Sequence, residues 1–342
     1  MTRMMFDSHN KKIIFCIRKI STNFIRQISQ SISRMNIKKQ NERIAKKNKL
    51  LEAILKAHTK YHIARNGNTG HCIIFSMDRA LQLHALLSSY YEKVSHPVPL
   101  HVLWRASSEE HRRAYGEVLN LFAGRNISPV YQETRGEFKK ILLAILSRAS
   151  EDKVFFLVDD IVFINDTDMN DFLSIDAHNT VGSLRLGQNL TKAYTVQKKQ
   201  RLPFFLENDA PDEKRLTWIW EDGELDWGYP LSVDGNLFLT AEISALAEHI
   251  SFHSPNTFES ALQPYVKYYA YRRGMCYSAP KILNIPVNRV QRDFDNIYGQ
   301  YHQDDLLKAW NDGFQMDYRK LYGFINESVH QEVEISLIKR KN

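Results

Sequence analysis

Lys153-Val154-Phe155-Phe156-Leu157-Val158-Asp159-Asp160-Ile161-Val162-Phe163 is the stretch that decides the fold. Val and Phe at this density, without alternation, read as a strand buried on both faces. Asp159 and Asp160 stand where that strand would leave the sheet. Two adjacent carboxylates are costly to bury without a counter-charge, so this point calls for a bound cation, a basic partner or solvent.

Upstream of the doublet, strands and helices alternate. Cys72–Ser76 reads as a short apolar strand, Asp78–Lys93 as a helix, Leu100–Trp104 as a strand and Glu109–Phe122 as a helix. Ser128–Tyr131, Glu137–Ser147 and Val154–Val158 continue the pattern. Three strand–helix units followed by a strand predict an α/β fold, a parallel sheet covered on both faces. Ligands of such sheets gather beyond the carboxyl ends of the strands. Ser76-Met77-Asp78-Arg79, Tyr131-Gln132-Glu133-Thr134 and Val158-Asp159-Asp160 all fall there. Downstream, Val181–Leu186 and Leu237–Thr240 read as strands, Ala241–His249 and Thr257–Arg272 as helices, and Pro280–Val290 as extended. Residues 303–325 read as helical and Val333–Ile338 as a late strand or tail.

The composition is that of a folded protein, with 43% apolar and 25% charged residues. The net charge of +7 conceals an asymmetry: residues 1–65 carry +13 and the remainder −6. A mildly acidic body argues against nucleic acid as its partner. Over residues 11–37, Ile13, Ile17, Ile20, Phe24, Ile28, Ile32 and Met35 recur at helical spacing, with Lys and Arg mostly off the stripe. Such a basic amphipathic helix lies either on an anionic membrane surface or against the main domain or a second copy of itself. Lys38–Lys60 continues as a charged helix with Leu50, Leu51, Ile54 and Leu55 on one side. Asn66-Gly67-Asn68-Thr69-Gly70 reads as the boundary turn. Cys16, Cys72 and Cys276 lie in no disulfide or zinc pattern, which fits a reducing cytoplasm. No run reaches the roughly 18 apolar residues of a membrane span, and Ile13–Ile17 is too short for a signal-peptide core.

The motifs together resemble glycosyltransferases of the GT-A fold. Ile73-Ile74-Phe75-Ser76-Met77-Asp78-Arg79 resembles their opening strand and loop, and Phe156-Leu157-Val158-Asp159-Asp160 their Asp-x-Asp metal motif. Gly182-Ser183-Leu184-Arg185-Leu186-Gly187 and Asp226-Trp227-Gly228-Tyr229-Pro230 look like the donor-side and acceptor-side segments of a bacterial family-2-like group. Pro255-Asn256-Thr257-Phe258-Glu259 and Asn284-Ile285-Pro286-Val287-Asn288 resemble it too. Val158 departs from the pattern, because many relatives carry an acid there. The resemblance implies a GT-A-like, Rossmann-type mixed sheet, mostly parallel and flanked by helices. It divides the chain into a basic helical arm (1–65), a GT-A domain (71–295) and a C-terminal helical extension (296–342).

It also implies transfer of a sugar from a nucleotide diphosphate donor to a hydroxyl of a glycan or lipid-linked acceptor. The departing diphosphate then needs a counter-charge, and the attacking hydroxyl must lose its proton. For the first, Asp160 is expected to hold Mg²⁺ or Mn²⁺, with Asp159 on the ribose or on a metal-bound water. His302 or His330 are weaker candidates for a further ligand, since a lone His more often packs or faces solvent. Ser76, Asp78 and Arg79 are expected to bind the nucleotide, Asp78 at base or ribose and Arg79 at a phosphate; Asp78 and Ser76 equally suit a helix start and its cap. Arg185 is expected to face the diphosphate. For the proton, the candidates in order are Glu259, Asp234 and Asp226. Trp218, Trp220, Trp227 and Tyr229 read as an aromatic cluster close to the acceptor side. Such clusters are more often core than sugar platforms, but the neighbouring acids Glu221, Asp222, Glu224 and Asp226 argue against a fully buried core over the whole stretch.

The expected reaction is inverting, and the expected setting is bacterial surface polysaccharide or lipopolysaccharide assembly. There the arm would bring a cytoplasmic enzyme to the inner membrane face. Two rivals are a sugar-phosphate nucleotidyltransferase, which usually wants a glycine-rich loop that residues 75–79 lack, and a non-catalytic binding module held by the arm.

Overall fold

Gly70–Met77 (β1) forms the centre of a five-stranded sheet. In the computed structural model, residues 34–35, 37–54, 56–57, 67–206, 215–288 and 301–340 are described. The amphipathic stripe read over residues 11–37 lies almost wholly outside them. The chain divides into two units, Met1–Leu55 and Lys56–Asn342. In the first, residues 37–54 are helical. Among the described residues no helix is long and apolar enough to cross a membrane.

In the second unit, β1 is flanked by Leu100–Arg105 (β2) and Lys153–Val158 (β4), both parallel to it; Ile127–Tyr131 (β3) pairs in parallel with the outer edge of β2. Ala80–Lys93 (α1), Glu109–Leu121 (α2) and Phe138–Arg148 (α3) are the crossover helices. The predicted α/β fold with a mostly parallel mixed sheet is present. The interior of β4 is wholly buried, as an apolar run without alternation requires: Val154, Phe155, Phe156 and Leu157 are all 0% exposed. Phe75 stacks on Phe156 across the β1–β4 pair, with ring centroids 5.6 Å apart.

Three departures from the reading shape the site. Helix α1 begins at Ala80, two residues later than predicted, because Asp78 takes a left-handed backbone (φ 53°). Asp tolerates that region better than most residues. Its carboxylate also accepts a hydrogen bond from the Ser107 amide at 2.7 Å, tying the β1 loop to the loop after β2. Ser76 therefore caps no helix. The predicted 257–272 helix is α-helical only over Pro255–Leu262 and continues as a 3₁₀ segment, Gln263–Tyr268. The 303–325 helix stops at Asn311; Phe314–Met316 pairs instead with Leu337–Lys339.

The fifth strand of the sheet, Leu237–Leu239, runs antiparallel along β4, with Leu237 opposite Phe155. Antiparallel pairing puts its start at the rim where β4 ends. The turn that leads into it uses Gly235 at φ 74°, and the Gly235 amide donates to the Phe156 carbonyl at 2.7 Å. Asp234 is thereby delivered to the same rim as Asp159 and Asp160. After the doublet, Ile161–Phe163 pairs antiparallel with Ile282–Asn284, and the Ile285 amide donates to the Asp160 carbonyl at 2.8 Å. This brings the 284–288 segment beside the doublet.

Candidate active site

The carboxyl ends of β1, β2 and β4 share one rim. Phe75 stands opposite Val158, Met77 opposite Arg105, and the Asp159 amide donates to the Phe75 carbonyl. The counter-charge that the doublet calls for comes from within the chain. Arg79 Nη1 lies 2.8 Å from Asp159 Oδ1 and 2.9 Å from Asp160 Oδ2. Arg79 Nε donates to Asn288 Oδ1 at 2.8 Å, and Nη2 donates to the Asn288 carbonyl. In this arrangement Arg79 clamps the doublet to the 284–288 segment.

The two acids are not equivalent. Asp159 is almost fully buried and has both oxygens engaged: Oδ2 accepts from Ser76 Oγ at 2.8 Å and from the Met77 amide at 3.1 Å, while Oδ1 accepts from Arg79. Ser76 in turn shares a 2.6 Å hydrogen bond with Tyr115, so its hydroxyl supports Asp159. Asp160 Oδ1 is buried and has no hydrogen-bond partner among the described residues. Burial pushes the Asp160 carboxyl up to about 6; Arg79 works against that, and the charges of Asp159 and Asp234 add to it.

The doublet also straddles two cavities. One, of about 710 Å³, is lined by Ser76, Asp78, Arg105, Gln132, Asp159 and Tyr301, among others. The other, of about 600 Å³, is lined by Asp160, Arg185, Asp226, Tyr229, Asp234, Glu259 and His330, among others. Arg79, Val158, Asn256 and Asn288 belong to both walls. Each volume is of the size that holds a small ligand. The candidate nucleotide residues Ser76, Asp78 and Asp159 thus gather on one side. The candidate bases gather on the other with Arg185, and Arg79 stands between.

Glu259 is placed by its neighbour. The helix Pro255–Leu262 starts at Ser254, whose hydroxyl accepts from the Thr257 amide at 3.2 Å, with Pro255 in the first turn. Phe258 is fully buried and packs edge-on against Phe156, with centroids 5.8 Å apart. That contact fixes the helix rotation, and Glu259 lines the cavity. Its Oε1 accepts from the Val233 amide at 3.3 Å. Burial, and next the negative charge of Asp234, push the Glu259 carboxyl up to about 7, against the pull of Arg185. Desolvation is the largest of these effects. Asp234 behaves oppositely. Burial raises it, but the hydrogen bond and charge of His330, with Arg185, hold it below the usual carboxylate range.

Arg185 is 3% exposed. Its Nη1 lies 3.9 Å from Asp226 Oδ1, and its guanidinium lies 5.8 Å from the centre of the Tyr229 ring. Its Nε and Nη2, and Asp226 Oδ2, are buried without hydrogen-bond partners among the described residues. Such groups sit well only when a ligand or water completes them.

Mg²⁺ or Mn²⁺ can be tested against these donors. Among the described residues no three His, Cys, Asp or Glu side chains converge as a metal group. Asp159 has no free oxygen. Asp160 Oδ1 does, and one protein carboxylate fits an ion that draws the rest of its shell from phosphate and water.

The aromatic expectation needs correction. Trp218, Trp220 and Trp227 are buried core, with Trp218 in edge contact with both others at 4.8 and 5.1 Å between centroids. The Nε1 atoms of Trp218 and Trp227 donate to the carbonyls of Trp227 and Leu190. Glu221 and Asp222 turn outward and Asp226 faces the cavity, so the three indoles themselves form a core and not a sugar platform. Of the four aromatic residues only Tyr229 lines the cavity.

The chain is similar to solved glycosyltransferase structures. A structure of TarS from S. aureus in complex with UDP-GlcNAc is 17% identical with a TM-score of 0.40, over 61% of this chain and 56% of that one. The apo structure of WbbM, a bifunctional glycosyltransferase, is 14% identical with a TM-score of 0.36, over 60% and 38% of the two chains. An active-site mutant of LgtC is 22% identical with a TM-score of 0.25, over 33% and 45%. The chain spans 35% to 58% of the length of the TarS chains it matches. No protein-family model and no curated protein matches it.

His330 and Asn288 are the cavity residues that the sequence left without a firm role. His330 Nε2 lies 3.2 Å from Asp234 Oδ2. The signal for both was position alone: Asn288 closes the Asn284–Asn288 motif, and His330 lies nearly a hundred residues beyond Asp234.

Proposed function

We propose that this chain is a glycosyltransferase that moves a sugar from a nucleotide diphosphate donor to a hydroxyl acceptor, most simply with inversion. One observation carries the reading: the acidic doublet stands in the wall between two cavities, one with the groups of a nucleotide site and one with a carboxylate tuned to accept a proton near neutral pH.

A donor laid across the wall would have its nucleoside beside Asp78, its diphosphate at Arg79 and Asp160, and its sugar in the Asp160 cavity. Asp160 would hold Mg²⁺ or Mn²⁺ there through its free oxygen; when bound, such an ion neutralises charge on the departing diphosphate. Arg79, freed from one or both carboxylates, is long enough to add its own charge to the same group. Glu259 takes the proton of the acceptor hydroxyl. A base near 7 is matched to that task, with a substantial unprotonated fraction near neutral pH and enough basicity to accept the proton. Arg185 and Asp226 offer two N–H donors and one acceptor oxygen to the sugar or the acceptor. A single displacement with a base on the face opposite the leaving group inverts the anomeric carbon. A role in bacterial surface polysaccharide or lipopolysaccharide assembly, on glycan or lipid-linked acceptors, belongs to the same proposal.

The test is a panel of nucleotide sugars followed by thermal shift, with Mn²⁺ and with a chelator. A donor that stabilises the chain and is split to its nucleoside diphosphate supports the reading. Splitting of a nucleoside triphosphate with release of pyrophosphate in place of that reaction overturns it.

A further inference from the structure

The segment around residue 330 is threaded into the active site by main-chain bonds on two sides. The Asn284 amide donates to the Val329 carbonyl at 3.2 Å, and the Gln331 amide donates to the Asn284 carbonyl at 3.0 Å. On the other side, the Lys192 amide donates to the Glu327 carbonyl at 2.9 Å, and the Tyr194 amide to Ser328 Oγ at 3.0 Å. His330 is thereby held in the cavity wall opposite the start of the antiparallel strand. Its Nε2 lies 3.2 Å from Asp234 Oδ2, and Asn284 Nδ2 donates to the same oxygen at 3.5 Å. The residue before Asp234 is Val233, whose amide donates to Glu259 Oε1. A chain of contacts therefore runs from His330 through Asp234 and the 232–234 turn to Glu259.

We propose that His330 is a positioning residue for the reaction: it holds the Asp234 carboxylate, and through the 232–234 turn it fixes the orientation and the electrical surroundings of Glu259. This rests on the reading of Glu259 as the base. A histidine placed merely to fill space would need no charged partner inside the cavity, and Asp234 without His330 would be a buried carboxylate with only a long amide contact. The charged groups that face Glu259 are Asp234 and Arg185; those that face His330 are Asp234, Asp226, Arg185 and Asp160. His330 Nε2 faces Asp234 Oδ2 at 3.2 Å, so positive charge on the ring screens Asp234 as seen from Glu259.

Two measurements on the full chain decide the matter. In the first, labelled histidine is titrated by NMR in the unsubstituted chain and in Asp234→Asn. The His330 ring is expected to titrate about one unit lower in the variant; an unchanged ring means that Asp234 is not its partner. In the second, kcat/KM is followed against pH. His330→Gln, which keeps a hydrogen bond to Asp234 but no charge, should move the acid limb up by about half a unit, while Asp234→Asn should move it down. His330→Gln should also recover much of the kcat that His330→Ala loses. Limbs that stay in place in both variants, with melting temperatures unchanged, overturn the proposal. So does a His330→Gln chain that loses Mn²⁺ binding with no movement of the limb, which would make the ring a metal ligand. If the unsubstituted chain turns over no nucleotide sugar, the transferase reading fails by itself, and the ring titration still reports whether His330 holds Asp234.

Discussion

Arg79 reaches Asp160 Oδ2 at 2.9 Å and leaves Asp160 Oδ1 buried with no partner among the described residues. One carboxylate is thus half satisfied at the meeting point of two cavities, and its charge is disfavoured by burial. Evolving a folded core would sooner remove such a group than keep it. Asp160→Asn is expected to leave the circular dichroism spectrum unchanged and the melting temperature equal or higher. It should lower kcat by about 10²-fold or more, the scale of losing one electrostatic stabiliser of a leaving group. Wild-type turnover in Asp160→Asn would remove the cation assignment.

Glu259, pushed up to about 7, predicts the shape of the pH profile. A base works only when unprotonated, so kcat/KM should rise with pH and level off above about 7. Glu259→Gln should lower kcat by roughly 10²- to 10⁴-fold and abolish that limb. An acid limb that persists at the same place in Glu259→Gln would assign the proton transfer elsewhere, with Asp234 next in line.

The same carboxyl links stability to pH. Its folded value lies above the ordinary 4.5 of a free Glu, so between those values the folded chain binds more protons than the unfolded one, and stability falls as pH rises. The contribution is complete below about 4.5 and has gone above about 7. Glu259→Gln should therefore melt higher than the parent at pH 8 and nearly level with it at pH 4.5. The gap is on the order of 1–3 kcal/mol, allowing for partial exposure of the side chain. Equal melting curves at pH 8 would show that the carboxyl is not strained by its surroundings.

The legibility of the chain follows the range of the forces involved. Strand β4 could be read from the sequence because Val154–Leu157 are buried on both faces, and uniform burial leaves an unbroken apolar run. The doublet could be read as a rim because charge ends such a run. The rim residues Ser76, Asp78 and Arg79 followed from strand–helix alternation alone. What could not be read was which group neutralises which. Arg79 precedes Asp160 by about eighty positions and Asn288 follows by well over a hundred; the parallel β1–β4 pairing brings the first, and the antiparallel pairing of 161–163 with 282–284 the second, so that Arg79 lies within 3 Å of both. The pairing of His330 with Asp234 was hidden for the same reason. The Trp218–Trp227 stretch misled because acids and aromatic residues alternate there without a period, and a local reading cannot tell a wrapped core from a binding face.

That core offers a direct check. The backbone of Gly274 lies against the indole of Trp218, where an added Cβ would come within 2.3 Å of the ring. Gly274→Ala is expected to destabilise the fold by about 1–3 kcal/mol through overpacking, and Trp218→Ala by about 3–5 kcal/mol through the cavity it leaves. Chemical denaturation measures both. At temperatures where either variant stays folded, KM for donor and acceptor should be unchanged. A selective rise in the acceptor KM of Trp218→Ala, with stability retained, would restore the stacking platform that the burial of this ring argues against.

Arg185 carries the last prediction. Its Nε and Nη2 form the parallel edge of a guanidinium, buried in the cavity wall and unpaired among the described residues, while Nη1 is turned to Asp226. Lysine keeps the positive charge but has a single ammonium, and it cannot present two donors in a fixed plane while also facing Asp226. If the edge serves a substrate oxygen, Arg185→Lys should raise the KM of the substrate bound there by on the order of 10-fold, the worth of one charge-assisted hydrogen bond. The acid limb of the pH profile should move little, because the charge near Glu259 survives. Arg185→Met removes that charge as well, so it should raise KM similarly and also move the limb upward. A Lys variant with unchanged KM for both substrates would mean that solvent, not substrate, completes the guanidinium edge. The recognition of sugar hydroxyls would then fall to Asp226 and Tyr229.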